Sequence, residues 1–407
     1  MSNPYREIFR APGALGFAAA GFVARLPIAM APIGIVAMLS QTHGEYWLAG
    51  AVSATYALTN ALVSPQVSRL VDRYGQTAIV VPATVLSVLA FTALMIATNQ
   101  RWPTWTLFVA AFFAAAMPSM PAMIRARWTE IFRGKPELNT AFAFESAMDE
   151  VMYIAGASLS VGLAVSLFPE AGIMANTALL AFGTAAFILQ RSTEPGIRPA
   201  GQRAVGSAIR LPAVQLVTLA LIFVGAIFAT AEVGAVAITE ELGTPNAASL
   251  VIGVYAVGSF ALGLVVGALN LKFPLQKQFA IALAAIALTQ IPLLFFTGSV
   301  LLLAATVFLS GIAISPTFIT AFGLIERRVP ESMLTEGVTW VMTGIGIGMA
   351  LGAFVAGWVV DNFGAHNGFW VSVAAGGMAL SVALLGQQVL AGKHTGSIPD
   401  AAPHPAE

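Results

Sequence analysis

Cysteine is absent from all 407 residues, which excludes disulfides and thiolate chemistry. Histidine is almost as scarce. The four present (His43, His366, His394, His404) fall in predicted loops or the tail, so an intramembrane metal site has no ligands to draw on. Charge is depleted to 9%, where a soluble domain carries about 25%, while 58% of residues are apolar. The mean hydropathy is +0.83, a membrane composition. No Walker-type phosphate loop occurs, so ATP is not the expected energy source. A single aspartate, Asp149, lies well inside a predicted span, so the facing pair of an intramembrane aspartyl protease cannot form. The formal net charge is zero and nucleic acid is not an expected partner. The first apolar run exceeds the roughly 7–15 residues of a signal-peptide core and has no clear cleavage site. No cofactor or metal is expected.

What is present is a series of long apolar runs. Segments near 14–40, 47–68, 77–97, 104–124, 141–168, 172–190, 212–238, 247–269, 279–296, 299–325, 333–360 and 367–390 are each long enough to cross about 30 Å of hydrocarbon. Segments nine and ten are parted by little more than "TGS". The polar stretch "RSTEPGIRPAGQRAVGSAIR" divides the runs six and six. The expected fold is an all-α membrane protein of twelve transmembrane helices in two pseudo-symmetric six-helix bundles. The bundles are assigned to 1–190 and 211–392, joined by a linker over 191–210 and followed by a disordered tail over 393–407.

Basic residues set the expected orientation. With the N-terminus inside, the inner stretches hold Arg6, Arg10, Arg69, Arg73, Arg125, Arg127, Arg133, Lys135, Arg191, Arg198, Arg203, Arg210, Lys272, Lys277, Arg327, Arg328 and Lys393. Of the nineteen basic residues this leaves Arg101 outside and Arg25 within the membrane. Both termini are therefore predicted to be cytoplasmic, in a multi-pass protein of the inner membrane. Tyr46, Trp47, Trp102, Trp105 and Trp370 at the predicted outer boundaries fit an interfacial aromatic belt.

Between spans two and three stands "SRLVDRYGQ", residues 68–76. Together with the six-plus-six pattern and the basic central loop, it resembles the major facilitator superfamily, whose loop reads Gly-x-x-x-Asp-Arg-x-Gly-Arg/Lys-Arg/Lys. Asp72, Arg73 and Gly75 match, while Ser68 replaces the first glycine and Gln76–Thr77 the basic pair. The resemblance covers about residues 12–390 and implies a cytoplasmic gate. In that family this aspartate caps the start of span eleven across the bundle interface, here near Ser332–Val338, and a helix start does favour a carboxylate. "GWVVDNFG", residues 357–364, repeats the Gly-x-x-x-Asp-x-x-Gly spacing at the other end of span eleven. Inverted three-helix repeats would place two such helix ends on opposite faces, and a chance helix stop would look the same.

The charges inside spans are the candidate site. Arg25 lies about 11 residues into span one and Asp149 about 8 into span five, roughly 17 and 12 Å from the same face. A charge at the bilayer centre costs at least ~2.5–3.5 kcal/mol on insertion scales, so partners are expected. Glu145 and Asp149 share a helix face and Glu150 points about 100° away. The expected cluster is Arg25 with Asp149, completed by Glu145 or Glu150. It serves either as a strut between spans one and five or, with three acids against one arginine, as a proton-carrying site. Arg125 and Arg127 are assigned to the cytoplasmic end of span four. The mid-span-four arginine of many proton-coupled antiporters then has no match, and Gly156–Ala157 replaces their Gly-Pro signature.

Met30, Tyr56, Met120, Tyr153, Glu232, Tyr255 and Trp340 are candidate cavity residues, since methionine and polar-tipped aromatics suit an adaptable apolar wall. Each reads equally as ordinary packing. The expected function is a monomeric secondary transporter in the lipid bilayer, moving a small apolar or amphipathic solute by alternating access with proton-coupled export. Proton-coupled uptake of a metabolite, lipid translocation and a non-transporting receptor are the alternatives.

Overall fold

A segment crossing hydrocarbon must satisfy its own backbone N–H and C=O groups, and the α-helix does this within a single run. The computed structural model describes residues 4–43, 46–197, 206–244, 247–269 and 273–392. The tail at 393–407, the linker core at 198–205, and the Tyr46 and Trp47 side chains lie outside the described residues. Among the described residues the regular structure is helical. The first half comprises α1 (Pro4–Ile8), α2 (Ala14–His43), α3 (Tyr46–Tyr74), α4 (Gln76–Asn99), α5 (Trp105–Ala114), α6 (Met120–Phe132), α7 (Glu137–Ser166) and α8 (Ala171–Leu189). The second comprises α9 (Pro212–Glu241), α10 (Ala248–Ala268), α11 (Leu275–Gln290), α12 (Val300–Gly311), α13 (Ile314–Arg328), α14 (Leu334–Phe363), α15 (Ala365–Leu385) and α16 (Gln387–Ala391).

Among the described residues ten spans are long and apolar enough to cross a membrane, counting α12 with α13 as one. The helix α3, diluted by polar residues, and the broken pair α5–α6 complete twelve. The break over 115–119 precedes Pro121, which has no N–H to give and is tolerated in the first turn of α6. This break corrects the sequence reading of span four. Instead of ending near 124, the span restarts at Met120 and runs to Phe132, so Arg125 and Arg127 are interior helix residues with no exposure. Hydropathy ended the span early because it counts charge and not pairing.

Within the first bundle α2 packs along α7 and α8, and in the second α9 packs along α14 and α15. The α9–α14 seam is close: a side chain at Gly348 would collide with the Ile222 carbonyl, and one at Gly225 with that of Ile345. Large apolar side chains such as Leu301, Phe182 and Phe354 point outward, where lipid tails take the place of a core.

The bundles meet through α3 with α14, α7 with α10 and α13, and α6 with α14. Bonds between them gather at the end holding the α3–α4 turn, here called the basic end. Tyr5 donates to the Leu264 carbonyl at 2.6 Å and Thr140 to that of Gly267 at 2.9 Å. Arg133 pairs with Glu331 at 3.0 Å, and the Ser68 and Thr339 hydroxyls lie 2.7 Å apart. A separate apolar cluster including Leu39, Leu48, Val52, Phe91 and Leu107 holds the opposite end of the first bundle together on its own. Among the described residues the halves are thus fastened at the basic end.

Candidate functional site

The buried charges of α2, α6 and α7 form one chain of ion pairs. Arg25 is fully buried and pairs with Glu145, and it donates to Asp149 Oδ1 at 2.9 Å. The other oxygen, Asp149 Oδ2, accepts from Arg125 at 2.6 Å. Trp128 Nε1 donates to Glu145 Oε1 at 2.7 Å, filling that carboxylate's second oxygen. The i, i+4 spacing of Glu145 and Asp149 aims both at Arg25, and depth along α2 and α7 puts the three at one level. Arg125 enters because α6 restarts after the Pro118–Pro121 break. The assignment of that residue to the cytoplasmic end is overturned, and the local charge becomes three acids against two arginines. Arg127 sits apart, bonded to Gln76 at 2.8 Å and to the Gln190 carbonyl at 2.7 Å, its guanidinium 3.8 Å from the centre of the Phe187 ring.

Two arginines against Glu145 and Asp149 balance, which leaves Glu150. Its side chain turns away from the ion pairs toward the second bundle, where Ser259 donates to Oε1 at 2.8 Å and Ser315 lies 2.9 Å beyond. Among the described residues no basic group is bonded to Glu150. Arg125 also touches the second bundle: its guanidinium lies 3.9 Å from the centre of the Phe322 ring. Both outward links of the cluster therefore cross the bundle interface.

Above this floor lie several of the predicted cavity residues. Tyr153, one turn from Glu150, is 41% exposed, and Glu232 is exposed within electrostatic reach of the Tyr153 and Tyr255 rings. Tyr255 is buried with its ring edge-on to Phe228 at 5.5 Å, and its hydroxyl has no partner among the described residues. Met30 and Met120 are fully buried and Tyr56 packs against Phe91. None of the three is open here, and Met30 and Tyr56 face neighbouring helices of their own bundle. Trp340 lies at the basic end, donating to Glu336 at 3.3 Å.

The Asp72 loop forms the second feature. Asp72 Oδ1 accepts the Thr335 N–H at 3.1 Å and Oδ2 the Glu336 N–H at 2.8 Å, two donors that the start of α14 leaves unsatisfied. Gly75 turns the chain at φ 93°, a conformation that side chains resist, so that α4 can begin at once. Arg73 is exposed beside the Tyr74 ring. The linker covers this junction: Glu194 accepts from the Thr77 N–H at 2.8 Å and its hydroxyl at 2.7 Å, and Ser207 bonds Glu336.

A family model described as Major Facilitator Superfamily matches residues 14–237 and 216–403. The chain belongs to the Major Facilitator Superfamily. Solved structures agree in fold. A bacterial homologue of the iron transporter ferroportin, in an outward-facing state, matches with a TM-score of 0.73 at 16% identity, over 92% of this chain and 99% of its own. The human organic anion transporter MFSD10 matches at 0.67 and 12%, over 94% and 100%. The E. coli fucose:proton symporter FucP matches at 0.66 and 15%, over 91% and 98%. At such identities the likeness shows the fold alone. No curated protein matches the chain significantly by sequence.

As a member of this superfamily the protein is a multi-pass membrane transporter and not an enzyme. Three residues of its site escaped sequence reasoning. Arg125 reads along the chain as the charged cytoplasmic end of span four, although Pro118 and Pro121 just upstream interrupt that helix. Trp128 carries no charge to draw attention. Glu336 stands at the edge of span eleven, where acids are common, and only the fold buries it against the Asp72 loop.

Proposed function

We propose that this protein is a proton-coupled secondary transporter that exports a small apolar or amphipathic solute across the inner membrane by alternating access. Glu150 carries the reading. It is a buried carboxylate at the contact between the two bundles, without a basic partner among the described residues, beside acids that are already neutralised by Arg25 and Arg125. A low-dielectric site favours the neutral acid, and a hydroxyl partner can serve either protonation state. Proton transfer at Glu150 then changes the charge of the contact that must break when the bundles rock. Glu145, Asp149, Arg25 and Arg125 act as the strut holding α2, α6 and α7. The Asp72–Arg73–Gly75 loop is the cytoplasmic gate, with both termini on that side. The solute occupies the space beside Tyr153, Tyr255 and Glu232, which a monomer provides. The fold does run on protons elsewhere, as the fucose:proton symporter shows by its name.

The test is growth of an efflux-deficient bacterial host on a panel of toxic compounds, with wild type, Glu150→Gln and empty vector at matched expression. Resistance from the wild type and its loss in Glu150→Gln is the expected result. Sensitisation by the wild type would replace export with proton-coupled uptake. Equal resistance from both proteins would remove Glu150 from coupling.

A further inference from the structure

The loop at the far end of α14 is a second copy of the Asp72 loop. "VDRYG" (71–75) ends α3, and "VDNFG" (360–364) ends α14. The two glycines share one conformation, φ 93° and ψ 158° at Gly75, φ 92° and ψ 160° at Gly364. Each closes its helix with the same bond, to the Val71 carbonyl at 2.8 Å and to the Val360 carbonyl at 2.9 Å. Each is followed at once by the next helix, α4 or α15. A glutamate from elsewhere in the chain receives an N–H at the start of that helix, Glu194 from Thr77 and Glu241 from Ala365. A chance helix stop would not reproduce the dihedrals, the closing bond and the cap together.

The helices that carry the two loops, α3 and α14, pack against each other and run in opposite directions. A two-fold axis across such a pair exchanges their ends. The register that lays Asp72 on Asp361 also lays Ser68 on Gly357, and lays Thr335, Glu336 and Thr339 on Tyr46, Trp47 and Gly50. At the basic end every member of the set is engaged: Asp72 with the Thr335 and Glu336 N–H groups, Ser68 with Thr339. At the other end the described members Asp361, Gly50 and Gly357 are unengaged. Asp361 is exposed and has no bonded partner among the described residues, and side chains built at Gly50 or Gly357 would meet nothing within 4 Å.

We infer that Asp361 is the second gate carboxylate, receiving the Tyr46 and Trp47 backbone N–H groups at the start of α3 when the bundles close at the opposite end. Gly50 and Gly357 then face each other at that end as Ser68 and Thr339 do at the basic end, and glycine at both positions lets the helices approach closely. One helix pair thus holds each closed state with the same device, a carboxylate on a helix start. The inference rests on the alternating access proposed above.

The chain has no cysteine, so paired cysteines report each closure directly. Gly50→Cys/Gly357→Cys reads the opposite end and Ser68→Cys/Thr339→Cys the basic end, by oxidative cross-linking of protein reconstituted in lipid nanodiscs. Solute transport by the cysteine-free parent is measured separately. Cross-linking of the Gly50/Gly357 pair is expected, falling about two- to five-fold when Asp361→Asn is added, the size of a lost charge at a helix start. Asp72→Asn is expected to raise it. Equal cross-linking with and without Asp361→Asn would overturn the gate role. So would no cross-link at the Gly50/Gly357 pair while the Ser68/Thr339 pair closes normally. If the parent transports nothing, the transport reading fails, yet the two cross-links still report whether α3 and α14 exchange closed ends.

Discussion

Asp149→Asn and Glu150→Gln are adjacent changes on one helix, each replacing an acid by its amide, yet opposite outcomes are expected. Asp149 uses one oxygen for Arg25 and the other for Arg125. An asparagine offers one acceptor and turns an N–H₂ group toward the second guanidinium, leaving donor against donor and an uncompensated buried charge. Breaking a buried pair in this way costs about 3–5 kcal/mol. At roughly 2–4 °C per kcal/mol for a unit of this size, the apparent Tm should fall by about 10 °C. Glutamine at 150 meets a different neighbour. Its carbonyl still accepts from Ser259, and no cation is stranded. The loss should stay within about 1 kcal/mol, the scale of one exchanged hydrogen bond, or roughly 3 °C. Thermal unfolding of the two variants in the same detergent decides the matter, with proton-driven flux in liposomes beside it. Asp149→Asn should be unstable, and Glu150→Gln stable but uncoupled. If Asp149→Asn unfolds with the wild type, or Glu150→Gln is the less stable, the division into strut and carrier is wrong.

Trp128→Phe keeps the ring but removes the N–H that Glu145 accepts, and should cost about 1.5–3 kcal/mol by the same unfolding assay. Gly348→Ala forces a methyl against the Ile222 carbonyl on α9 and should cost about 1–3 kcal/mol. Gly346→Ala, two residues away in open space, should leave Tm unchanged or slightly higher. Glu194→Ala strips the linker's cap from α4 and should cost about 1 kcal/mol, read as faster proteolysis of the linker under native conditions.

Much of this architecture is legible along the chain because the bilayer is a severe solvent. It demands about twenty apolar residues per crossing and forces each into a helix, so span number, the six-plus-six division and the placing of Arg25 and Glu145 inside spans follow from hydropathy and spacing. Helical periodicity likewise puts Glu145 and Asp149 on one face and Glu150 on another, with no knowledge of neighbours.

What lies beside each face is not a local property. The chain breaks at 115–119 and restarts as α6, whose Arg125 reaches Asp149, and hydropathy reads that buried arginine as a span boundary. The destination of Glu150 depends on which helix of the second bundle stands opposite, and among the described residues the fold supplies Ser259 on α10 and no cation. Composition counts three acids and one arginine; the tertiary structure adds the second arginine and so decides which acid is left over. The near-identity of the two glycine turns was visible as a five-residue match, but only their shared backbone geometry and the antiparallel α3–α14 packing make it a relation between gates. The solvent dictates elements one at a time, whereas a site is made of elements brought together, and their meeting is decided by packing.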